Sequence, residues 1–353
     1  MALGAFAHEG VLRTVLGDIP SRDMGITLPH EHLLCDASAW RVETTDPIGQ
    51  EEPRLDNLWW FRQHPDSNPL VLGLGDESAA IDELLEFRQL GGGTLLELSC
   101  EGLAGDPVAL TRISRATEVH IVAGCGFYLD SVHPEWSRSA SVDELADFMV
   151  RSVEEGILDT GVCAGVVGEL GMSWPLTSNE EKVLRAGARA QRRTGAAITV
   201  HTAIHSQEHR PALLAADILE EEGADLTRVV MGHLDSFLPA LDYQVAVAER
   251  GCYVEFDTFG CEFFESEVPY VWPSDRERTR AVRDLVDRGF ADRLLLSQDV
   301  YIRIQWQRYG GVGYGHLLRN IVPRLRLEGI REEQIEMILS ENRRRVFPLA
   351  RSA

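Results

Sequence analysis

The residue types able to bind a metal recur in this chain at the ends of short apolar runs. His30-Glu31-His32 closes the run 26–28, and Glu169, His201, His233 and Asp299 close the runs 164–167, 197–200, 229–231 and 294–296. On a strand, residues i and i+2 share a face, so His30 and His32 can enter one interior together while Glu31 points away. One ligand-type residue at the end of each of several strands describes the mouth of a barrel, where strand ends converge although they are distant in sequence.

Imidazole and carboxylate together suit zinc or a similar borderline divalent ion; an all-oxygen set would suit magnesium or calcium. Four histidines and two carboxylates exceed what one tetrahedral ion can use while leaving a place for water. Two divalent ions per chain are therefore expected, with zinc the favoured metal. Water held between two cations becomes a nucleophile near neutral pH.

The elements that must position these residues are legible as well. Eight runs rich in Val, Ile and Leu, near 25–34, 93–98, 120–128, 164–170, 197–201, 229–234, 252–257 and 293–299, alternate with helical patterns. Repeated βα units with nearly continuous apolar strands point to a parallel sheet covered on both faces. The expected fold is α/β, a (β/α)8 TIM barrel spanning 1–353 as one domain, with its binuclear site at the C-terminal ends of the strands. Ser178 with Glu181, and Ser274 with Glu277, have the spacing of capping boxes that start helices between strands four and five and after strand seven. Residues 44–68 have no period and look like an insertion after strand one. Segments 260–275 and 300–315 are long aromatic-containing loops expected to overhang the mouth.

Composition excludes several roles. A formal charge of -22 over 353 residues repels nucleic acid and anionic membranes, and no basic cluster interrupts it. Six scattered cysteines suggest reduced, structural thiols, and with no apolar run long enough to span a bilayer a cytoplasmic location is expected.

The stretches GITLPHEHL (25–33), GELG (168–171), GHLD (232–235) and SQD (297–299) resemble the phosphotriesterase family of the amidohydrolase superfamily. LWW (58–60), GFY (126–128), SWPLT (173–177) and YGGVGY (309–314) are most similar to its phosphotriesterase-related branch, also called resiniferatoxin-binding proteins. The resemblance implies that His30, His32 and Asp299 bind the more buried metal and His201 and His233 the more exposed one. It also implies a bridging ligand on strand four, and it carries the expectation of a homodimer. In many members that bridge is a carboxylated lysine. The only lysine here, Lys182, lies inside the helix after strand four, which leaves Glu169 as the bridge.

Asp299 is the expected proton acceptor and donor to the leaving group. Tyr128, at the end of strand three, either reaches the reacting oxygen or is a core tyrosine with a satisfied hydroxyl. A proton-relay histidine at the end of strand seven in phosphotriester-cleaving members is matched here by Thr258, which argues against efficient organophosphate hydrolysis. Asp235 either contacts substrate or is a loop acid. Arg303, Arg308 and Trp306 are placed to recognise an anionic tail unless the arginines are surface charges. His205 has a minor claim to ligation, and His133, His209 and His316 read as loop or surface residues.

The expected activity is hydrolysis of a small-molecule lactone or small carboxylic ester through attack of a metal-bridging hydroxide on the carbonyl. Alternatives are an amidohydrolase of N-acyl amino or sulfonic acids, a weak phosphotriesterase, and a non-catalytic small-molecule-binding protein. A one-metal deaminase-like site is a further rival, which Glu169 and both later histidines disfavour.

Overall fold

The structure, a computed structural model, describes residues 10–204, 210–265 and 269–350. Eight parallel strands form one sheet in sequence order: β1 (Ile26–Glu31), β2 (Gly92–Glu97), β3 (His120–Cys125), β4 (Val166–Gly171), β5 (Ala197–His201), β6 (Val229–Met231), β7 (Tyr253–Phe256) and β8 (Leu294–Leu296). The edges β1 and β8 meet where the His30 amide donates to Ser297 Oγ (3.2 Å) and the Asp299 amide to the His30 carbonyl (3.3 Å). With helices outside, this is the expected (β/α)8 barrel.

Side-chain period sets the interior. Leu96, Val122, Val166, Ala197, Val230 and Leu295 form an apolar lower layer, and Leu12 and Phe347 pack against it. Leu12 belongs to an antiparallel hairpin, Val11–Thr14 with Gly17–Pro20, that sequence reading did not single out. Above this layer the interior turns polar, and the candidate site lies there.

Helices α1 (Glu77–Gln89), α2 (Pro107–Thr117), α3 (Val142–Glu154), α4 (Ser178–Thr194), α5 (Pro211–Glu221), α6 (Asp242–Glu249) and α7 (Asp275–Asp287) separate successive strands from β1 to β8. Ser274 and Glu277 cap α7 as expected. The box on α4 is one residue earlier than Ser178 and Glu181, formed by Thr177 and Glu180. Tertiary contacts decide that register: the buried Glu180 carboxylate also accepts from the Ser173 amide and hydroxyl and from the Asp130 amide. Lys182 lies in α4, where its ammonium donates to the Arg138 and Ala140 carbonyls, away from the barrel mouth.

The loops meet over the mouth. Trp60 and Phe61 from the 44–68 segment, Ile204 after β5, Phe263 and Trp272 after β7, and Ile302 after β8 share one apolar cluster. The 44–68 segment contains the short helix Leu58–Phe61, and the segment after β7 forms a two-stranded ribbon, Phe264–Glu265 with Tyr270–Val271. All six cysteines are free thiols, five of them buried. Among the described residues no helix is long and apolar enough to cross a membrane.

Candidate metal centre

Backbone close approach lets β4 present its carboxylate. A side chain at Gly168 would put its Cβ 2.2 Å from Thr199 Oγ1, and one at Gly171 would lie 2.2 Å from the Tyr128 carbonyl carbon. Glycine on both sides therefore lets Glu169 sit deep between β3 and β5. His233 and Asp299, just past β6 and β8, adopt left-handed backbone (φ 59° and 47°), a conformation that non-glycine residues populate at a cost.

The six expected ligands converge. Glu169 Oε1 lies 3.4 Å from His32 Nε2, and Oε2 lies 3.3 Å from His30 Nε2, 3.2 Å from His201 Nδ1 and 3.7 Å from His233 Nε2. His32 Nε2 is 3.3 Å from Asp299 Oδ1, and His201 Nδ1 is 2.7 Å from His233 Nε2. All six residues are buried.

Donors about 2.0–2.2 Å from a shared tetrahedral ion lie about 3.3–3.6 Å from one another, close to most of these spacings. His30 Nε2 and Asp299 Oδ1 are buried with no hydrogen-bond partner among the described residues, a costly arrangement unless something else binds them. His30, Glu169 and His233 form one group able to hold an ion, and His30, His32 and Asp299 another. The donor set and its orphaned atoms therefore fit metal.

Around the centre, each of three imidazoles is held from behind. Asp257 accepts from the His233 amide (2.8 Å) and faces its Nδ1 (2.9 Å). His30 Nδ1 contacts Glu255 (3.0 Å) and Asp257 (3.2 Å). His32 Nδ1 contacts Ser99 Oγ (3.0 Å), whose hydroxyl donates to Glu97 (2.6 Å). Such partners fix which nitrogen faces a metal. Burial alone pulls the His30 and His233 pKa values down, but Glu169 and Asp257 for His30, and Asp257 above all for His233, hold them well above the usual range. His201, buried and beside His233, is lowered. Sequence reading missed this outer ring; its signal was an acid inside an otherwise apolar strand, as in Glu97 and Glu255.

Glu31 does turn from the centre, but into a structural role. Its carboxylate accepts from Ser297 Oγ, the Gln298 amide and side chain, and the Val300 amide, fixing the turn that carries Asp299.

The centre opens into a cavity of about 520 Å³, counting its open mouth. His32, Glu169, His201 and Asp299 form its inner end, and Trp40, Asp66, Tyr128, Glu265, Trp272 and Tyr301 contribute walls. Tyr128 Oη lies 3.4 Å from His201 Nδ1 and accepts a 2.7 Å hydrogen bond from Trp40 Nε1.

Five residues considered for the substrate side of the site do not line the cavity. Arg303 donates to the Gly73 carbonyl, and Trp306 is a core residue with its indole on Tyr314 Oη. Their loop folds back through short 3-10 turns, so these side chains miss the cavity. Asp235 and Thr258 are fully buried in a network with Arg278, whose Nε is 2.7 Å from Asp235 Oδ2. Arg308 pairs with Asp76 and Asp82 at the surface. His133 and His316, expected in loops or on the surface, are buried on the Tyr128 carbonyl and the Asp275 carboxylate, which satisfy their rings. His205 and His209 lie outside the described residues.

Comparison with known proteins agrees with this architecture. The model of the Phosphotriesterase family matches residues 10–347. The N-acetyltaurine hydrolase of Homo sapiens is 37% identical over 340 residues, 95% of this chain and 97% of that protein. A resiniferatoxin-binding protein from Rhodobacter sphaeroides superposes with a TM-score of 0.93 at 39% identity, covering 96% of this chain and 95% of the other. A lactonase from Listeria monocytogenes gives 0.80 at 26% identity, covering 97% and 100%.

Proposed function

Because the chain belongs to the phosphotriesterase family, we propose that it is a binuclear metal-dependent hydrolase that cleaves a carbonyl-centred bond, with N-acyl amides of small amines as its first substrate class. The observation that carries this reading is the convergence of His30, His32, Glu169, His201, His233 and Asp299 at the inner end of one cavity. His30, His32 and Asp299 would hold one ion and His201 and His233 the other, with Glu169, whose Oε1 faces His32 and whose Oε2 faces His30 and His201, able to serve both. Zinc suits these imidazole and carboxylate donors. Bound ions would supply Lewis acidity toward a carbonyl oxygen and lower the pKa of water.

The protein's own groups do the rest. Asp299, whose Oδ1 has no hydrogen-bond partner among the described residues, would take a proton from the attacking water and return it to the departing nitrogen or oxygen. An indole N–H can only donate, so Trp40 makes the Tyr128 oxygen an acceptor and leaves the phenol proton to point at the substrate's carbonyl oxygen. Trp40, Trp272 and Tyr301 wall the site and reduce its exposure to solvent.

Sequence reading favoured lactones and small esters over amides. The relatives named N-acetyltaurine hydrolase, at greater identity than the lactonases, support the reverse order, with lactone cleavage as the second reading. The test is hydrolysis of matched N-acetyl amides, lactones and phosphotriesters by zinc-loaded protein. Amide cleavage that a chelator abolishes and zinc restores is expected; chelator-insensitive turnover, or none with any class, contradicts the proposal.

A further inference from the structure

The barrel closes between β1 and β8 without a backbone ladder among the described residues, so the facing edge of β8 needs other partners for its carbonyls. The Ser297 amide donates to the Phe256 carbonyl on β7, and successive residues of a strand face opposite edges, so Leu294 and Leu296 face the seam. The terminal helical segment Asn342–Val346 supplies their partners: Asn342 Nδ2 donates to the Leu294 carbonyl (2.9 Å) and Arg343 Nη2 to the Leu296 carbonyl (2.7 Å). Both side chains are fully buried.

A neutral amide suffices for that task at Leu294, yet a guanidinium performs it at Leu296. Arg343 Nε and Nη1 have no hydrogen-bond partner among the described residues, a costly state for a buried cation. Burial pulls its pKa down to about 9, and the charge that opposes the fall is Glu255 on β7. Glu255 has the complementary need. Fully buried, it turns Oε2 to His30 Nδ1 at 3.0 Å and leaves Oε1 without a hydrogen-bond partner among the described residues. Asp257 also faces His30 Nδ1, but both its oxygens engage His233, whereas His30 is the one candidate ligand that Glu255 contacts among the described residues.

We infer that Arg343 is a positioning residue for the metal centre: from the seam it anchors Glu255 Oε1 through bridging water, so that Oε2 stays on His30 Nδ1 and His30 Nε2 stays aimed at the ion. Buried donors and a buried acceptor of opposite charge that do not bond each other directly are the groups an internal water joins. The partner behind an imidazole fixes its tautomer and ring orientation, and through them the affinity for metal. The inference rests on the metal-centre reading above for what His30 holds.

The test is zinc affinity, by competition with a chelator, in wild type, Arg343→Gln, Arg343→Lys, Glu255→Gln and the double variant Arg343→Gln with Glu255→Gln. Glutamine keeps a donor for the Leu296 carbonyl, as Asn342 does for Leu294, but removes the charge; lysine keeps the charge. Arg343→Gln is expected to weaken zinc binding about tenfold and Arg343→Lys less than about threefold, with the double variant no weaker than Glu255→Gln alone. Wild-type affinity in Arg343→Gln, or losses that multiply in the double variant, overturns the inference and leaves the metal reading standing. Wild type that binds no zinc sinks both. A crystal structure of the wild type tests the link without any variant having to fold: a water within hydrogen-bond distance of Glu255 Oε1 and of Arg343 Nε or Nη1 is expected, and groups left dry and unlinked overturn the inference.

Discussion

Asp257 grips His233 twice, accepting from its backbone amide at 2.8 Å and facing its Nδ1 at 2.9 Å. The first contact holds a residue whose backbone is left-handed; the second keeps the Nδ1 proton in place and turns the Nε2 lone pair toward Glu169 and His201. Asp257→Asn preserves one amide acceptor but presents an N–H to the ring. Zinc affinity is expected to fall about 10–100-fold, read by competition with a chelator of known affinity. An unchanged affinity would mean that Asp257 plays no part in orienting the ligand.

Glu31 does for Asp299 what Asp257 does for His233. Removing its carboxylate in Glu31→Ala strands the Gln298 and Val300 amides and the Ser297 hydroxyl in a dry interior. A loss of about 3 kcal/mol in urea unfolding is expected. Glu31→Gln should fall between, because its amide nitrogen would face a donor.

The charge state of the histidines gives metal binding a pH dependence of definite sign. Carboxylates raise the His30 and His233 pKa values in the metal-free protein, favouring the charged form of both rings. In that form they add stability that is fully present below the unfolded pKa, about 6.5, and lost as pH rises through the raised values. A metal needs the same nitrogens unprotonated, so loading expels protons. The rise in Tm on adding zinc should therefore be larger at about pH 8 than at about pH 6. Equal rises at both would contradict the assignment of these nitrogens as ligands.

Trp40 acts through Tyr128. Tyr128→Phe is expected to lower kcat about 100-fold with little change in KM, since the phenol proton matters where charge develops. Trp40→Phe should lower kcat less, about tenfold, by freeing the phenol to turn its proton elsewhere. Steady-state kinetics on one amide substrate measures both, and a Trp40→Phe effect confined to KM would assign the indole to packing alone.

Arg278 is fully buried with Asp235 and Thr258. Arg278→Met would leave the Asp235 carboxylate without its counter-charge, at a cost of about 3–5 kcal/mol in denaturant unfolding. A change below about 1 kcal/mol would show that this network is not what holds the loops after β6 and β7.

The strands and the convergence of the inner cluster were legible because strand period and strand-end position are local: His30 and His32 had to share a face, and Glu169, His201, His233 and Asp299 each closed an apolar run. The walls were not. Trp306 looked like a substrate contact from its place in a long aromatic loop, but that loop folds back on itself and buries the indole against Tyr314. Arg303 turned to the Gly73 carbonyl for the same reason. Asp66 and Trp40 reach the cavity from the segment after β1, whose path depends on apolar contacts with loops about two hundred residues away. Thr177 took the helix cap from Ser178 because Glu180 had further partners across the fold.

The central claim is that Glu169 joins two metal ions in one centre. The most direct measurement is zinc content by elemental analysis of wild type and Glu169→Ala, with amide hydrolysis assayed on the same samples. About two zinc ions per chain in the wild type, with metal and turnover falling together in the variant, is the predicted result. Full zinc content and unchanged turnover in Glu169→Ala would contradict it.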